Sequence, residues 1–424
     1  MKILHTADLH LGQILYQYYD RHDEHQHFFH QLRQWCKEEQ PDALLVSGDV
    51  FDIQQPSATV KKAFTDYFVQ LHQQCPNMHI VITAGNHDSA SRIQADSSVW
   101  ELANAHLVGT PPTTDSLEKN DGWQSQYIIR LDSGYVVALP YMTGDRREII
   151  QSILDKVAGE NTKGLPVVMM AHQAVTGLDP AGHNFDIGTL RTLDTSAMGN
   201  GYDYLALGHI HKPQTIGHKE DDDFRKAATH HAPVVRYSGS ALHVSCDETY
   251  PHTVSLVEID RHQGKVQINQ LRIDELRHFY ILPMDGASFA SADAALSSMK
   301  EFVKNGERGY IRFRFDMNTD LPSNFGQMVY DALLPYNDEW RYNPKMLWTG
   351  SSNKDTGKEE LVFQVSELQQ MSDPMVFIKR TQDQYPGLDL EDVRQAFEEV
   401  KAEMLLLNEE KEAKNRQKST SAKQ

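Results

Sequence analysis

The chain has 424 residues, 40% of them hydrophobic, and a formal net charge of −18 at pH 7. That length exceeds one catalytic domain, so two or three are expected. No apolar run is long enough to span a bilayer, and MKILHTADLHL reads as a strand with polar breaks, not a secretory signal, so a cytoplasmic location is expected. Cys36, Cys75 and Cys246 are odd in number and lack C-x-x-C spacing, which reads as reduced and structural. The acidity argues against a uniformly basic nucleic-acid-binding surface. It leaves room for a local one, for which Lys61, Lys62, Arg92, Arg146 and Arg147 are candidates.

The first hundred residues alternate strand and helix. KILHT leads into ADLH, with Asp8 and His10, and a helix is expected over 22–39. ALLVS leads into SGDVFD, with Asp49, and a second helix is expected over 57–74. IVITA leads into GNHD, with Asn86 and His87, followed by a helix near 97–104. The pattern then reads as strand-rich to about 273. PVVMM precedes His172 in MAHQ, YLAL precedes His209 and His211 in GHIH, and the polar stretch 215–233 reads as a loop. Each polar block ends a buried strand, and the carboxyl edge of an open α/β sheet is where ligands bind.

Asp8, His10, Asp49, Asn86, His172, His209 and His211 are therefore seven candidate metal ligands on one sheet edge. Asp8 and His10 are two residues apart, as are His209 and His211, so a strand period would turn each pair to one side, able to grip one ion. Carboxylate, amide oxygen and imidazole together suit Mn²⁺, Fe²⁺ or Zn²⁺. Two neighbouring ions need a shared ligand, for which the two oxygens of Asp49 are the best candidate. Such a pair acidifies a bridging water and clamps the attacking and leaving oxygens of a phosphoryl group, which implies hydrolysis of a phosphate ester.

Past residue 275 the pattern changes to a helix near 291–304, the strand YIRFRFD, a helix near 325–334 and the strand ELVFQV, read as a second domain over 275–370. Residues 371–408 read as two helices, opened by Asp373-Pro374 and by Asp389. Along the second, Val393, Phe397, Val400, Met404 and Leu407 form a narrow apolar seam at steps of four and three. It is expected to bind a partner, the alternative being that it packs on its own domain. The tail 409–424 is charged and expected to be disordered. No G-x-x-x-x-G-K-[ST] segment is present, so ATP dependence would have to come from another polypeptide. The cluster His22, His25, His27 and His30 reads as a solvated or DNA-facing helix surface. His230 and His231 read as solvated loop residues, and His243 as lying away from the site.

The order D-x-H, G-D-x-x-D, G-N-H-D, H, G-H-x-H resembles that of the calcineurin-like metallophosphoesterases. HTADLHLGQ, SGDVFD with Pro56 and Ser57 after it, AGNHDS, LGHIHKPQ and YSGSAL narrow the resemblance to the SbcD-type nuclease subunits over residues 1 to about 275. The resemblance implies an α/β fold: a two-layer β sandwich flanked by helices over 1–274, followed by a smaller α+β capping domain and C-terminal helices. It implies two Mn²⁺ ions, one held by Asp8, His10, Asp49 and His211 and the other by Asp49, Asn86, His172 and His209. His87 would be the non-ligand histidine that meets the phosphate or protonates the leaving group. It further implies 3′-to-5′ exonuclease action on duplex DNA ends and endonuclease action on single strands and hairpins, within the nucleoid. The partner would be an SbcC-type coiled-coil ATPase docked on the 393–407 seam, with a homodimer inside a heterotetramer. Some members of the wider nuclease family have histidine where this chain has Asp52, so no role is transferred to that position. Protein serine/threonine phosphatases resemble the chain less, because Asp52 and Asp88 stand where those have arginine and glutamate. Two alternatives stay open: a small-molecule phosphatase or phosphodiesterase with the same centre, and a non-catalytic scaffold, although no ligand has been lost.

Overall fold

The computed structural model describes residues 1–16, 18–118, 122–144, 146–179, 192–217, 233–245, 248, 250–305 and 308–349. In chain order, Lys2–Thr6 (β1) is followed by a short hairpin, Ile14–Leu15 (β2) with Tyr19–Asp20 (β3), and by helix His22–Glu39 (α1). Ala43–Ser47 (β4), helix Ala58–Gln74 (α2) and His79–Thr83 (β5) come next, then the short helices Ala90–Gln94 (α3) and Ser97–Trp100 (α4) and strand Ala105–Val108 (β6). Helix Thr114–Leu117 (α5) precedes the hairpin Ile128–Leu131 (β7) and Gly134–Ala138 (β8). Helix Arg147–Glu160 (α6) leads into Val167–His172 (β9), Tyr204–Gly208 (β10), Gln214–Thr215 (β11) and Val234–Tyr237 (β12). Thr253–Asp260 (β13) and Lys265–Arg272 (β14) close this part.

Apart from the β2–β3 hairpin, these strands make two six-stranded sheets, ordered β14-β13-β1-β4-β5-β6 and β11-β12-β10-β9-β8-β7. β1, β4, β5 and β6 run parallel, as do β8, β9, β10 and β12, so all their carboxyl ends point the same way within each sheet. Every residue of β4 is buried, as a strand covered on both faces must be. The two-residue alternation sorts its side chains. Leu44 and Val46 join Leu4, Ile80 and Ile82 in a core closed by Phe28, Phe29 and Leu32 of α1 and Phe64, Phe68 and Leu71 of α2. The opposite face meets the second sheet, where Ser47 Oγ donates to Ala206 O at 3.0 Å and His5 Nδ1 lies 2.9 Å from the Tyr204 hydroxyl.

Several expectations need correction. The helix foreseen near 97–104 is divided into α4 and a 3-10 turn at Glu101–Ala103, left-handed Asn104 ends it, and the separate short helix α3 precedes it. The stretch read as strand-rich contains α6, whose buried Ile149, Ile150, Ile153, Leu154 and Val157 follow a helical period. The expected loop at 215 begins with β11, which pairs with β12; residues 218–232, with His230 and His231, lie outside the described residues. So do Cys246, ELVFQV and everything from residue 350 on, including Val393, Phe397, Val400, Met404 and Leu407.

Beyond β14 a separate four-stranded sheet forms from His278–Leu282 (β15), Gly309–Asp316 (β16), Trp340–Tyr342 (β17) and Leu347–Thr349 (β18), with β16 central and parallel to the other three. Helices Ala292–Asn305 (α7) and Phe325–Leu333 (α8) cover it. Its own core includes Met299, Phe313, Phe315, Phe325, Val329 and Trp340. A buried ionic cluster ties this sheet to α1. Glu24 accepts from Arg21 Nε at 2.9 Å, from Arg341 Nη1 at 3.1 Å and from the Tyr310 hydroxyl at 2.5 Å, with Arg277 Nη1 at 3.4 Å. The first hairpin joins the same junction: Tyr342 N donates to the Tyr19 hydroxyl at 3.0 Å, and Arg341 donates to Asp20 O at 2.8 Å.

Candidate metal centre

All seven candidate ligands converge. Asp8, His10, Asp49 and Asn86 leave the ends of β1, β4 and β5 in one sheet; His172, His209 and His211 come from β9 and β10 in the other. One donor atom each from Asp8, His10 and His211 lies within 4.8 Å of the others, and the same holds for Asp49, His172 and His209. His209 and His211 therefore divide between two groups, contrary to the expectation that each two-residue pair serves one ion. The strand period does not act here, because the ligands sit beyond the strand ends. Asp8, His10, Asp49 and His209 have φ of 51°, 45°, 48° and 92°, in the left-handed region that side chains other than glycine seldom adopt. Such backbone costs of order 1–3 kcal/mol per residue and persists only where the surroundings enforce it.

The enforcement is visible. The loop after β1 is zipped to the loop after β4 by Asp8 N to Gly48 O (3.0 Å), His10 N to Asp49 O (3.1 Å) and Leu11 N to Val50 O (2.9 Å). Buried Asp88 accepts from the backbone N–H of Gly85, Val50 and Phe51 at 2.8, 3.0 and 2.9 Å, which ties the GNHD turn to the Asp49 loop. Gly48, at φ +85°, lies so close to His172 that a Cβ would stand 2.2 Å from Nδ1.

Asp49 lies beside histidines of both groups. Its Oδ2 is 3.2 Å from His172 Nε2 and 3.9 Å from His10 Nε2, while Oδ1 accepts from His87 N at 2.8 Å. Asn86 Oδ1 is 3.0 Å from both His172 Nε2 and His209 Nδ1. The rings are oriented from behind. His172 Nδ1 donates to Ser47 O at 2.8 Å, His211 Nδ1 lies 3.0 Å from Glu248 Oε1, and His10 Nδ1 faces Asp52 Oδ1 at 3.3 Å. For His172 and His10 the other ring nitrogen is turned toward Asp49, the arrangement in which a partner behind the ring orients a metal-ligating histidine. Glu248 and Asp52 thus belong to the site although sequence reasoning gave neither a role. Glu248 lies 37 residues past His211 with no motif of its own.

Electrostatics separate the two carboxylates. Burial pushes Asp8 up to about 7, with the neighbouring Asp49 adding to the rise against His172 and His10. Burial would raise Asp49 as well, but His172, His10 and His87 outweigh it and hold it below the ordinary carboxylate range. For His172 burial opposes the charged form, yet Asp49 and Asp8 prevail and raise it to about 9. Burial pushes Glu248 up to about 7, against the pull of His252. The donor set is nitrogen and oxygen only, and the buried His10 Nε2 has no hydrogen-bond partner among the described residues. An aimed, unpaired imidazole nitrogen beside a carboxylate fits a first-row divalent cation. Imidazoles must shed their protons to bind it, so uptake would release protons.

The centre floors a cleft of about 490 Å³. His87 is exposed on its rim; its Nδ1 donates to Asp52 O at 2.9 Å, so Nε2 is the free edge. Gln13, Ile14, Leu15 and Tyr16 form one wall, and Val244, Ser245 and Lys345 complete the lining. None of Lys61, Lys62, Arg92, Arg146 or Arg147 lines it; Lys61 and Arg92 border a different groove with Phe51 and Pro56, and Lys62 pairs with Asp66. His22 and His30 are exposed and His27 is half-buried, but His25 is buried, with Nε2 2.8 Å from Leu9 O, so that helix face is not uniformly solvated. His243 is buried away from the cleft lining, against His252 and Phe279.

Among curated proteins, the chain is 31% identical over 294 residues to the SbcD component of the SbcCD nuclease of Rhodobacter capsulatus, covering 61% of this chain and 66% of that protein. It is 28% identical over 315 residues to the protein of the same name from Escherichia coli K12, covering 69% and 73%. The Bacillus subtilis protein of that name is 28% identical over 279 residues, covering 61% and 66%. The family described as calcineurin-like phosphoesterase matches residues 1–213, half of the chain and the whole ligand set from Asp8 to His211, and the chain belongs to that family.

Proposed function

We propose that this chain is the nuclease subunit of an SbcCD-type complex, hydrolysing DNA phosphodiester bonds as a 3′-to-5′ exonuclease on duplex ends and an endonuclease on single strands and hairpins, in double-strand-break repair and recombination. The observation that carries the reading is the convergence of seven candidate ligands at the floor of a cleft, in a chain whose relatives are named as nuclease components. Asp8, His10, Asp49 and His211 would hold one ion, and Asp49, Asn86, His172 and His209 the other, with Asp49 shared. The physiological ion in this reading is Mn²⁺. Two divalent ions held by these residues would supply polarisation of the phosphoryl oxygens and acidification of the attacking water.

The protein side supplies orientation and a proton. Ser47 O and Glu248 fix the tautomers of His172 and His211, so their lone pairs face inward without reorganisation. His87, with Nδ1 occupied by Asp52 O, presents Nε2 to the phosphate and serves the leaving oxygen as general acid. Asp88 keeps His87 and Asp49 in register by clamping both their loops. The sheet β15–β18 is the capping domain of this reading, assigned to 275–370. The seam Val393 to Leu407 within 371–408 docks an SbcC-type coiled-coil ATPase, and a homodimer of this chain forms the heart of a heterotetramer in the nucleoid.

The test is digestion of an end-labelled linear duplex in Mn²⁺, with and without chelator, beside His87→Ala and a small aryl phosphodiester. Chelator-sensitive shortening of the duplex, absent in His87→Ala, is the expected result. Cleavage of the small ester alone, even with the ATPase added, would favour the small-molecule phosphodiesterase.

A further inference from the structure

The cleft floor is built from acids and imidazoles in a chain of net charge −18, so the source of attraction for a polyanion needs identification. Among the described residues that line the cleft there is one lysine and no arginine: Lys345. It comes from the four-stranded sheet, in the connection between β17 and β18, and not from the part of the chain that supplies the ligands.

The connection is held in place. Asn343, fully buried, donates its N–H to Ile311 O at 2.8 Å and accepts from Lys345 N at 2.9 Å through Oδ1; Arg312 Nε donates to Lys345 O. Immediately before it, Tyr342 and Arg341 are bonded to Tyr19 and Asp20 of the first hairpin, whose other strand, Ile14–Leu15, lines the same cleft. The backbone that carries Lys345 is therefore pinned to the cleft wall, and its flexible ammonium is free to follow a ligand. Of the metal-ligand candidates that line the cleft, His10, Asp49 and His211 are at most 8% exposed and Asn86 and His209 are half-buried, whereas Lys345 is exposed at the rim.

Resting on the nuclease reading, we propose that Lys345 is a specificity-determining residue that binds a backbone phosphate flanking the scissile one, so that the site favours a polynucleotide over an isolated phosphodiester. A rim ammonium acts as a point charge and reads no sequence, so it would favour any strand with a neighbouring phosphate. Each phosphate neutralised by a cation contributes about 0.7 to the salt slope of binding for a single strand and about 0.9 for a duplex.

The experiment uses full-length protein in Mn²⁺ and compares wild type, Lys345→Gln, Lys345→Arg and, as an equal change of charge off the cleft, Lys163→Gln, at an exposed lysine in the connection between α6 and β9. Oligonucleotide affinity is measured across a salt series, and the ratio of cleavage efficiency on oligonucleotide to that on a small aryl phosphodiester is taken. Lys345→Gln should weaken oligonucleotide binding about tenfold at low salt and flatten the salt slope by about one. The efficiency ratio should fall with it; Lys345→Arg should restore all three, and Lys163→Gln should move none. An unchanged slope in Lys345→Gln overturns the proposal, and so does a parallel fall on both substrates, which would place the lysine at the scissile phosphate. Wild-type protein that turns over the diester but neither binds nor cuts the oligonucleotide overturns the nuclease reading itself.

Discussion

Replacing Glu248 by glutamine tests whether the centre depends on a residue far from every motif. The carboxylate has a fully buried side chain and is shared: Oε1 lies 3.0 Å from His211 Nδ1 and accepts from Ser245 N at 3.2 Å, while Oε2 accepts from Val244 N at 3.1 Å. An amide of the same shape can keep one oxygen facing His211, but its NH₂ must then oppose the Val244 N–H, donor against donor. The alternative flip sets NH₂ against the His211 Nδ1–H and favours the wrong tautomer, which takes the Nε2 lone pair away from the ion. Loss of such an outer partner weakens metal binding by about 10- to 100-fold, or about 1.4–2.7 kcal/mol. The expected outcome is a selective loss of the ion assigned in the proposal to Asp8, His10, Asp49 and His211, read by calorimetric Mn²⁺ titration of apo protein, with the other ion's affinity retained. Equal affinities in Glu248→Gln and wild type, alongside a clear loss in His211→Ala, would refute the reasoning.

Asp49→Ala should abolish activity and empty both positions, whereas His87→Ala should lower kcat by about 10²–10⁴ and keep both ions by elemental analysis. Gly48→Ala must place a Cβ at φ +85° and 2.2 Å from His172 Nδ1, so it should lower thermal stability by about 1–3 kcal/mol and displace His172, with reduced ion content. Glu24→Ala strands Arg21, Arg277 and Arg341 in a buried junction and should cost about 3–5 kcal/mol in urea unfolding; a cost under about 1 kcal/mol would mean that water replaces the carboxylate. Burial, aided by Arg236, lowers His5 to about 3, below its unfolded value. The unfolded chain therefore takes up a proton that the folded one refuses, and stability is lost as pH falls from about 6.5 toward 3, by up to about 1.4 kcal/mol per pH unit. His5→Leu, compared with wild type in chelator, should show a shallower acid limb in its urea midpoints.

The parts of this molecule that are legible from residues alone share one property: their signal is local. KILHT, ALLVS and HIVIT announce strands because every residue is apolar or β-branched, or nearly so, and α1, α2, α7 and α8 lie within a residue or two of the limits read from their periodicity. α6 is equally periodic but is surrounded by segments that read as strands, which masks it. The ligand identities come from block order, while their geometry does not. Nothing local says that His209 and His211 serve different groups, since this follows from the left-handed backbone at His209 and its hydrogen bond to Asp8. Glu248, Lys345 and the Glu24 junction are invisible in the sequence because each acts on residues tens to hundreds of positions away, through contacts that only the folded chain creates.

The ligand set is divided between the layers: Asp8, His10, Asp49 and Asn86 on one sheet, His172, His209 and His211 on the other, and neither half is a complete coordination sphere. Two metal ions held there would act as an inorganic cross-link through the sandwich, joining strands whose candidate ligands are up to 203 positions apart in sequence. A slip of one layer against the other by about an ångström would dismantle the coordination while leaving every helix and strand intact. Catalytic competence in this molecule is consequently a gauge of inter-sheet alignment, and it should fail under mild heat or denaturant before any loss of secondary structure.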